Sequence, residues 1–234
     1  MNWHNVTLGQ FQQINEIESR QLSDIDKVLY SICVLYNKTE YELDNTEPVK
    51  VRKMMEAVEG LAVLSISKPA KRIGRYFVNY DVSSITFGQY IDIAFFISNN
   101  PVKYAHYILA SMSKVWGRKY STDSHRKRAE YFLKQPVSKT MSALGAIRES
   151  FDAFNGQYKN LFGVDPEVSG NVQNDEFNRR YGWIFSATQV AAHEGITLEE
   201  AYDLSVRRAF NGLAYLKAKG KYEMEQLRKS KPVI

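Results

Sequence analysis

Four histidines, one cysteine and a scatter of carboxylates are the residues of this 234-residue chain whose types suit acid–base, nucleophilic or metal chemistry. His4, His106, His125 and His193 lie far apart, and none has a second ligand at metal spacing. His193-Glu194 lacks the second His four residues on that a zinc-protease helix needs. His106 stands beside Tyr104 and Tyr107, which predicts a packed or surface ring rather than a base. Asp24/Asp26 and Glu199/Glu200 fall in first helical turns, where the helix dipole favours carboxylates without any reaction. No dinucleotide or phosphate glycine loop and no nucleophile elbow occurs. Cys33, in YSICVLY, reads as a small buried hydrophobe. A single thiol also excludes an intramolecular disulfide and a multi-thiolate metal site. The expectation is a non-enzymatic chain with no metal and no cofactor.

The residues that do recur are structural. TLGQFQQI, Thr7 to Ile14, returns as TFGQYIDI, Thr86 to Ile93. Thr7 with Gln10 and Thr86 with Gln89 have the spacing of a capping box, in which hydroxyl and amide each satisfy a free backbone N–H at a helix start. Thr197 with Glu200 is a third such pair. The likeness extends past the caps. Ser23 caps a helix with apolar Ile25, Val28, Leu29, Ile32 and Leu35, and Asn100 caps one with Val102, Ala105, Ile108, Leu109 and Met112. Basic openings follow at 51–61 and 125–135. This reads as a duplicated helical unit.

The elements that position these residues follow from periodicity. The fold expected is mainly α: residues 1–70 form a first helical unit, and 71–135 a strand segment and second unit. A long amphipathic helix spans 136–162, a linker 163–175 and a C-terminal helical hairpin 176–234. Alternation of Tyr76, Val78 and Tyr80 with Phe77 and Asn79 predicts an extended segment at 71–85, pairing with another chain or an N-terminal edge. Val137, Met141, Leu144, Ile147, Phe151, Phe154, Tyr158 and Leu161 form one apolar stripe, the face on which a chaperone would hold a client. The hairpin is read as helices over 176–194 and 198–228.

Within that hairpin, TQVAAHEGITLEEAYDLS places Ala191, Gly195 and Ile196 where a helix-turn-helix would. The helix after Thr197 presents Glu199, Glu200 and Asp203, which would repel phosphate, so a tight αα-hairpin is the better reading. Hydrophobic residues at 44% and charged residues at 24% suit a globular protein, and no apolar run approaches membrane-spanning length. The opening MNWHNVTLGQ has no secretory pattern. The net charge of +5 is uneven: residues 1–47 carry 3 Lys/Arg against 8 Asp/Glu, and residues 48–140 carry 16 against 6. An acidic front and a basic middle suit attraction within one fold or head-to-tail between copies; the basic stretch equally suits an acidic partner, nucleic acid (a less favoured reading) or a plain solvated helix face. Trp3, Trp116, Tyr120 and Trp183, with Arg126, Lys127 and Arg128, are the candidate interface residues, since aromatic and Arg side chains concentrate at interfaces.

Two stretches resemble a known group. The T-L/F-G-Q-F/Y opening, preceded in its second copy by RYFVNYDVSSI, resembles modules in tail assembly and structural proteins of tailed phages of Bacteroides-type hosts, crAss-like phages among them. YGWIFSATQVAAHEGITLEEAYDLSVRRAFNGLAYLKAKGKYE resembles helical segments of proteins encoded near the tail genes of such phages. The two cover about half the chain and transfer no functional residue. The resemblance implies a virion morphogenesis protein, a tail or neck component of ring or connector type. A tail assembly chaperone that leaves the virion is the close alternative, and a DNA-binding protein using residues 48–140 the more distant one. It also implies other tail, neck or portal proteins as partners, a homo-oligomer, and location in the virion or host cytoplasm.

Overall fold

The computed structural model describes residues 3, 5–59, 68–115, 124–162 and 172–230. Among these the fold is mainly α: twelve α-helices, one 3-10 turn and a three-stranded antiparallel sheet. The chain divides into two compact units, one of residues 1–79 and 96–146, the other of 80–95 and 147–234. This cuts across the sequential segments expected. Loops mark segments in a sequence, whereas units follow burial, and two helices each give one end to each unit.

In the first unit, α1 (Leu8–Glu18) opens at Thr7. The Thr7 hydroxyl accepts the Gln10 N–H at 3.2 Å, and the Gln10 side-chain carbonyl accepts the Thr7 N–H at 3.0 Å. Leu8 N–H donates to Gln135 O and Val137 N–H to Val6 O, both at 2.8 Å, so Thr7 and Pro136 form a single antiparallel bridge. Gly9 answers to that close approach: a Cβ there would stand 3.2 Å from the Leu133 carbonyl oxygen. α2 (Asp24–Tyr36), capped by Ser23, packs on α1 and on α4 (Pro48–Glu59). Between them α3 (Glu40–Asp44) carries a capping box of its own, Thr39 with Glu42, which the sequence reading misses.

The extended segment is shorter than expected: β1 (Arg72–Ile73) and β2 (Tyr76–Val78), turned at Gly74 with φ +57°. β2 pairs next with β3 (Ser113–Val115), in the same unit rather than in another chain or at an N-terminal edge. That strand also ends the helix expected from Asn100. A turn over Pro101–Tyr104 leads to α6 (Ala105–Ser111), after which the Met112 carbonyl is taken by the Asn79 N–H at 2.7 Å. α6 packs on α7 (His125–Leu133).

The second unit opens in the same geometry. Gln89 N–H donates to the Thr86 hydroxyl at 3.2 Å, and Thr86 N–H to Gln89 Oε1 at 3.0 Å, at the start of α5 (Phe87–Asn99). Phe87 N–H donates to Leu204 O at 2.8 Å and Val206 N–H to Ile85 O at 3.0 Å, bridging Thr86 to Ser205. A Cβ on Gly88 would meet Tyr202 Cβ at 3.3 Å. The helix expected over 198–228 is therefore two, α11 (Leu198–Asp203) and α12 (Val206–Ser230). Leu204 is extended (ψ 151°) so that its carbonyl can receive Phe87, and no periodicity marks such a break. The basic openings at 51–61 and 125–135 are not counterparts in this geometry. α7 leads into the Thr7 bridge, and the element leading into the Thr86 bridge is α11.

The apolar stripe lies on α8 (Val137–Gln157) and continues to α9 (Lys159–Phe162). Val137, Leu144, Ile147, Phe151 and Phe154 are buried, so most of the stripe is core, whereas Met141, Tyr158 and Leu161 are half-buried. In the second unit Phe151 stacks on Tyr90 at 4.8 Å, and Phe210 meets the same ring edge-on at 4.8 Å. Tyr90 is 2% exposed, and its hydroxyl donates to Asn155 Oδ1 at 2.6 Å.

Candidate docking surface

α10 (Val172–Glu194) begins within the segment 163–175 expected as a linker, of which residues 163–171 lie outside the described residues. One face of α10 buries Ala187, Val190 and Ala191. The helix stops at Gly195 (φ +69°), and the Ile196 N–H returns to Ala191 O at 3.0 Å. Thr197 and Glu200 then form the capping box that starts α11. α12 packs back against α10, with Val206, Ala209, Phe210 and Leu213 buried and Arg208 Nε donating to Glu194 Oε1 at 3.2 Å. The segment that resembles a helix-turn-helix is thus a tight helical pair. The second helix of the pair, α11, has six residues and presents Glu199 and Asp203 to solvent.

Among the described residues nothing covers the N-terminal part of the apolar side of α10. Phe177, Tyr181, Ile184 and Phe185 are 42–52% exposed and spaced as neighbours on one side of a helix. Phe177 and Tyr181 lie 5.5 Å apart, centre to centre. Beside them opens a cavity of about 570 Å³ between α9, α10 and α12, lined by Leu161, Trp183, Phe185, Phe210, Leu213 and Leu216. Lys217 sits at its rim, its ammonium donating to Leu161 O at 3.3 Å. Beyond it α12 is wholly exposed over 218–230, with Tyr222, Met224 and Leu227 among the uncovered side chains. Monomeric globular proteins rarely leave a contiguous apolar patch of this kind open unless another surface covers it. The sequence signal is an apolar band along α10 that is wider than a surface helix needs, running from Phe177, Tyr181, Ile184 and Phe185 to Ala187, Val190 and Ala191.

The candidate interface residues divide. Trp183 belongs to this surface, half-buried with its ring edge-on to Phe87 at 6.2 Å and Tyr90 at 5.7 Å. Trp3 lies in the first unit, half-buried and edge-on to Phe11 at 5.7 Å. Arg126 and Lys127 are exposed, Arg126 pairing with Glu130 at 3.2 Å, whereas Arg128 is 4% exposed and donates to Ala110 O and Ser124 Oγ. Arg128 is therefore held by its own fold. Trp116 and Tyr120 lie outside the described residues.

His106 and His125 each have hydrogen-bonding neighbours within the fold. His125 Nε2 is 2.9 Å from Ser111 Oγ and 3.2 Å from Tyr107 O, and Ser111 is buried. His106 Nδ1 is 3.2 Å from Gln12 Nε2, which also donates to the carbonyls of Val102 and Lys103. Burial, helped by the nearby His125, holds His106 down at about 4, and burial also lowers His125. Burial raises the Cys33 thiol, away from the reactive range. Among the described residues no group of three or more His, Cys, Asp or Glu is arranged to hold a metal ion, and no helix is long and apolar enough to cross a membrane. Comparison with protein-family models, with curated proteins and with solved structures finds no match to this chain.

Proposed function

We propose that this chain is a non-enzymatic morphogenesis protein of a tailed-phage particle, built from a duplicated helical unit and belonging to the tail or neck. It acts by docking another virion protein on the α10–α12 surface. The observation that carries docking is the uncovered row Phe177, Tyr181, Ile184 and Phe185 beside a cavity of mixed lining, more apolar than polar. Covering such side chains contributes on the order of 1 kcal/mol or more each. The geometry suits an amphipathic helix laid in a groove, with its anchors spaced three and four residues apart. The phage assignment rests on the resemblance of the T-x-G-Q openings and of residues 181–223, and the second stretch supplies most of this surface.

Quantitative mass spectrometry of purified particles and of infected cells tests the reading. A building block is found in particles at a fixed multiple of the tail or portal symmetry, and Ile184→Asp lowers its incorporation. A chaperone is found in cells and missing from particles, with Ile184→Asp weakening its hold on the client. Normal particle yield from Ile184→Asp and Phe185→Asp together would overturn docking on this surface.

A further inference from the structure

The two T-x-G-Q openings give the chain a template for contact between copies. Counting from Gly9 and Gly88, Phe11 corresponds to Tyr90, Ile14 to Ile93 and Asn15 to Ala94. Counting from Val137 and Val206, which follow the two bridges, Phe151 corresponds to Gly220, Asn155 to Met224 and Tyr158 to Leu227.

In the second unit the Tyr90–Ile93–Ala94 face of α5 is buried, with Phe151, Phe154 and Asn155 of α8 against the Tyr90 ring and hydroxyl. The same face of α1 is less covered. Phe11 and Ile14 are only half-buried, and Asn15 and Glu18 are exposed. α2 and α7 occupy the other sides of α1, through Gln10 against Val34 O and Gly9 against Leu133. Meanwhile the α12 residues that correspond to the covering part of α8 are exposed.

We infer that residues 218–230 of α12 in one copy lie on the Phe11–Ile14–Glu18 face of α1 in a second copy, joining copies head to tail. Three substitutions between the corresponding sites are matched to one another. Tyr90, with a hydroxyl, faces Asn155, whereas Phe11, without one, would face Met224, a favourable sulfur–aromatic pair. Gly220 stands in place of Phe151 and leaves ring-sized room, and Trp3 already lies over Phe11. The charges also agree. Lys219, Lys221, Arg228 and Lys229 on the tail outnumber Glu223 and Glu225, and Glu18 lies on this face of α1. The contact is heterologous, so it propagates or closes into a ring. It rests on the reading of the chain as a protein that acts by docking, and not on the phage resemblance.

The test is sedimentation of the purified full chain. The wild type is expected to associate with rising concentration, more weakly at high salt. Met224→Asp, at an exposed position, is expected to be monomeric while keeping the acceptor face. Phe11→Asp is expected to be monomeric while keeping the tail, and an equimolar mixture of the two to give a one-to-one dimer. Should Phe11→Asp fail to fold, the gentler Phe11→Tyr and Met224→Asn take its place. Each alone leaves a polar group unmatched and is expected to weaken association roughly tenfold, and the double variant to recover it by restoring the Tyr–Asn pair. A wild type that stays monomeric at about 100 µM, a Met224→Asp chain that associates like the wild type, folded variants that do not pair, or a double variant without recovery would each overturn the contact. Because the chain is measured alone, failure here leaves the particle experiment standing, and the reverse holds too.

Discussion

The openings at Thr7 and Thr86 share a capping box, a one-residue bridge to the start of a later helix, and a glycine packed against the turn before that bridge. They differ in what covers the next aromatic residue. Tyr90 is sealed among Phe151, Phe154, Trp183 and Phe210, whereas Phe11 has Trp3 against it and remains half-buried. Repeated local chemistry therefore fixes how a helix begins and docks at its first turn. Whether its outer face is finished depends on distant residues.

The largest expected effect separates the two aromatics. Tyr90→Ala should destabilise by about 4 kcal/mol, as a sealed ring does, and Phe11→Ala by only about 1–2 kcal/mol. Urea unfolding of each variant at low concentration checks this, and equal losses would break the comparison. Next come the glycines. Gly88→Ala forces its new Cβ against Tyr202 and should destabilise by about 1 kcal/mol despite a better helix propensity. Gly145→Ala in α8, with nothing within 4 Å, should instead stabilise by about 1 kcal/mol. Their opposite signs in thermal melts would confirm that close approach, and not helix chemistry, retains the glycine of the T-x-G-Q string.

The caps should behave alike: Thr7→Ala and Thr86→Ala each lose about 1 kcal/mol, and a large difference would show that one bridge carries more than its cap. The smallest effect is graded with pH. His106 is held neutral in the folded chain at about 4 and titrates near 6.5 when exposed. The unfolded chain thus binds protons first as pH falls. The stability that neutral His106 contributes is complete above pH 6.5 and is lost between there and about pH 4. His125 is lowered in the same direction. His106→Gln should flatten that slope in denaturation series across the window.

Much of this was legible in the sequence because it is local. The caps at Thr7, Thr86 and Thr197, and the α8 stripe, follow from spacings of three and four residues. What escaped is non-local. The bridges at Pro136 and Ser205 depend on partners 129 and 119 residues away, and the second explains why the helix expected over 198–228 breaks at Leu204. β3 is three residues long and completes a sheet begun some 40 residues earlier, so alternation could not reveal it. The docking surface is partly visible: Trp183 is among the candidate interface residues, but the row from Phe177 to Phe185 belongs to an apolar band that is core further along the same helix.

The most direct measurement is amide hydrogen exchange of the wild-type full chain at low and high concentration. Exposed helix ends open readily and exchange fast, whereas docked ones do not. Peptides covering 218–230 and 8–18 are expected to gain protection together as concentration rises, and to lose it together when Met224→Asp is introduced. Protection that ignores concentration in both segments, or that rises in one without the other, would contradict the contact between copies.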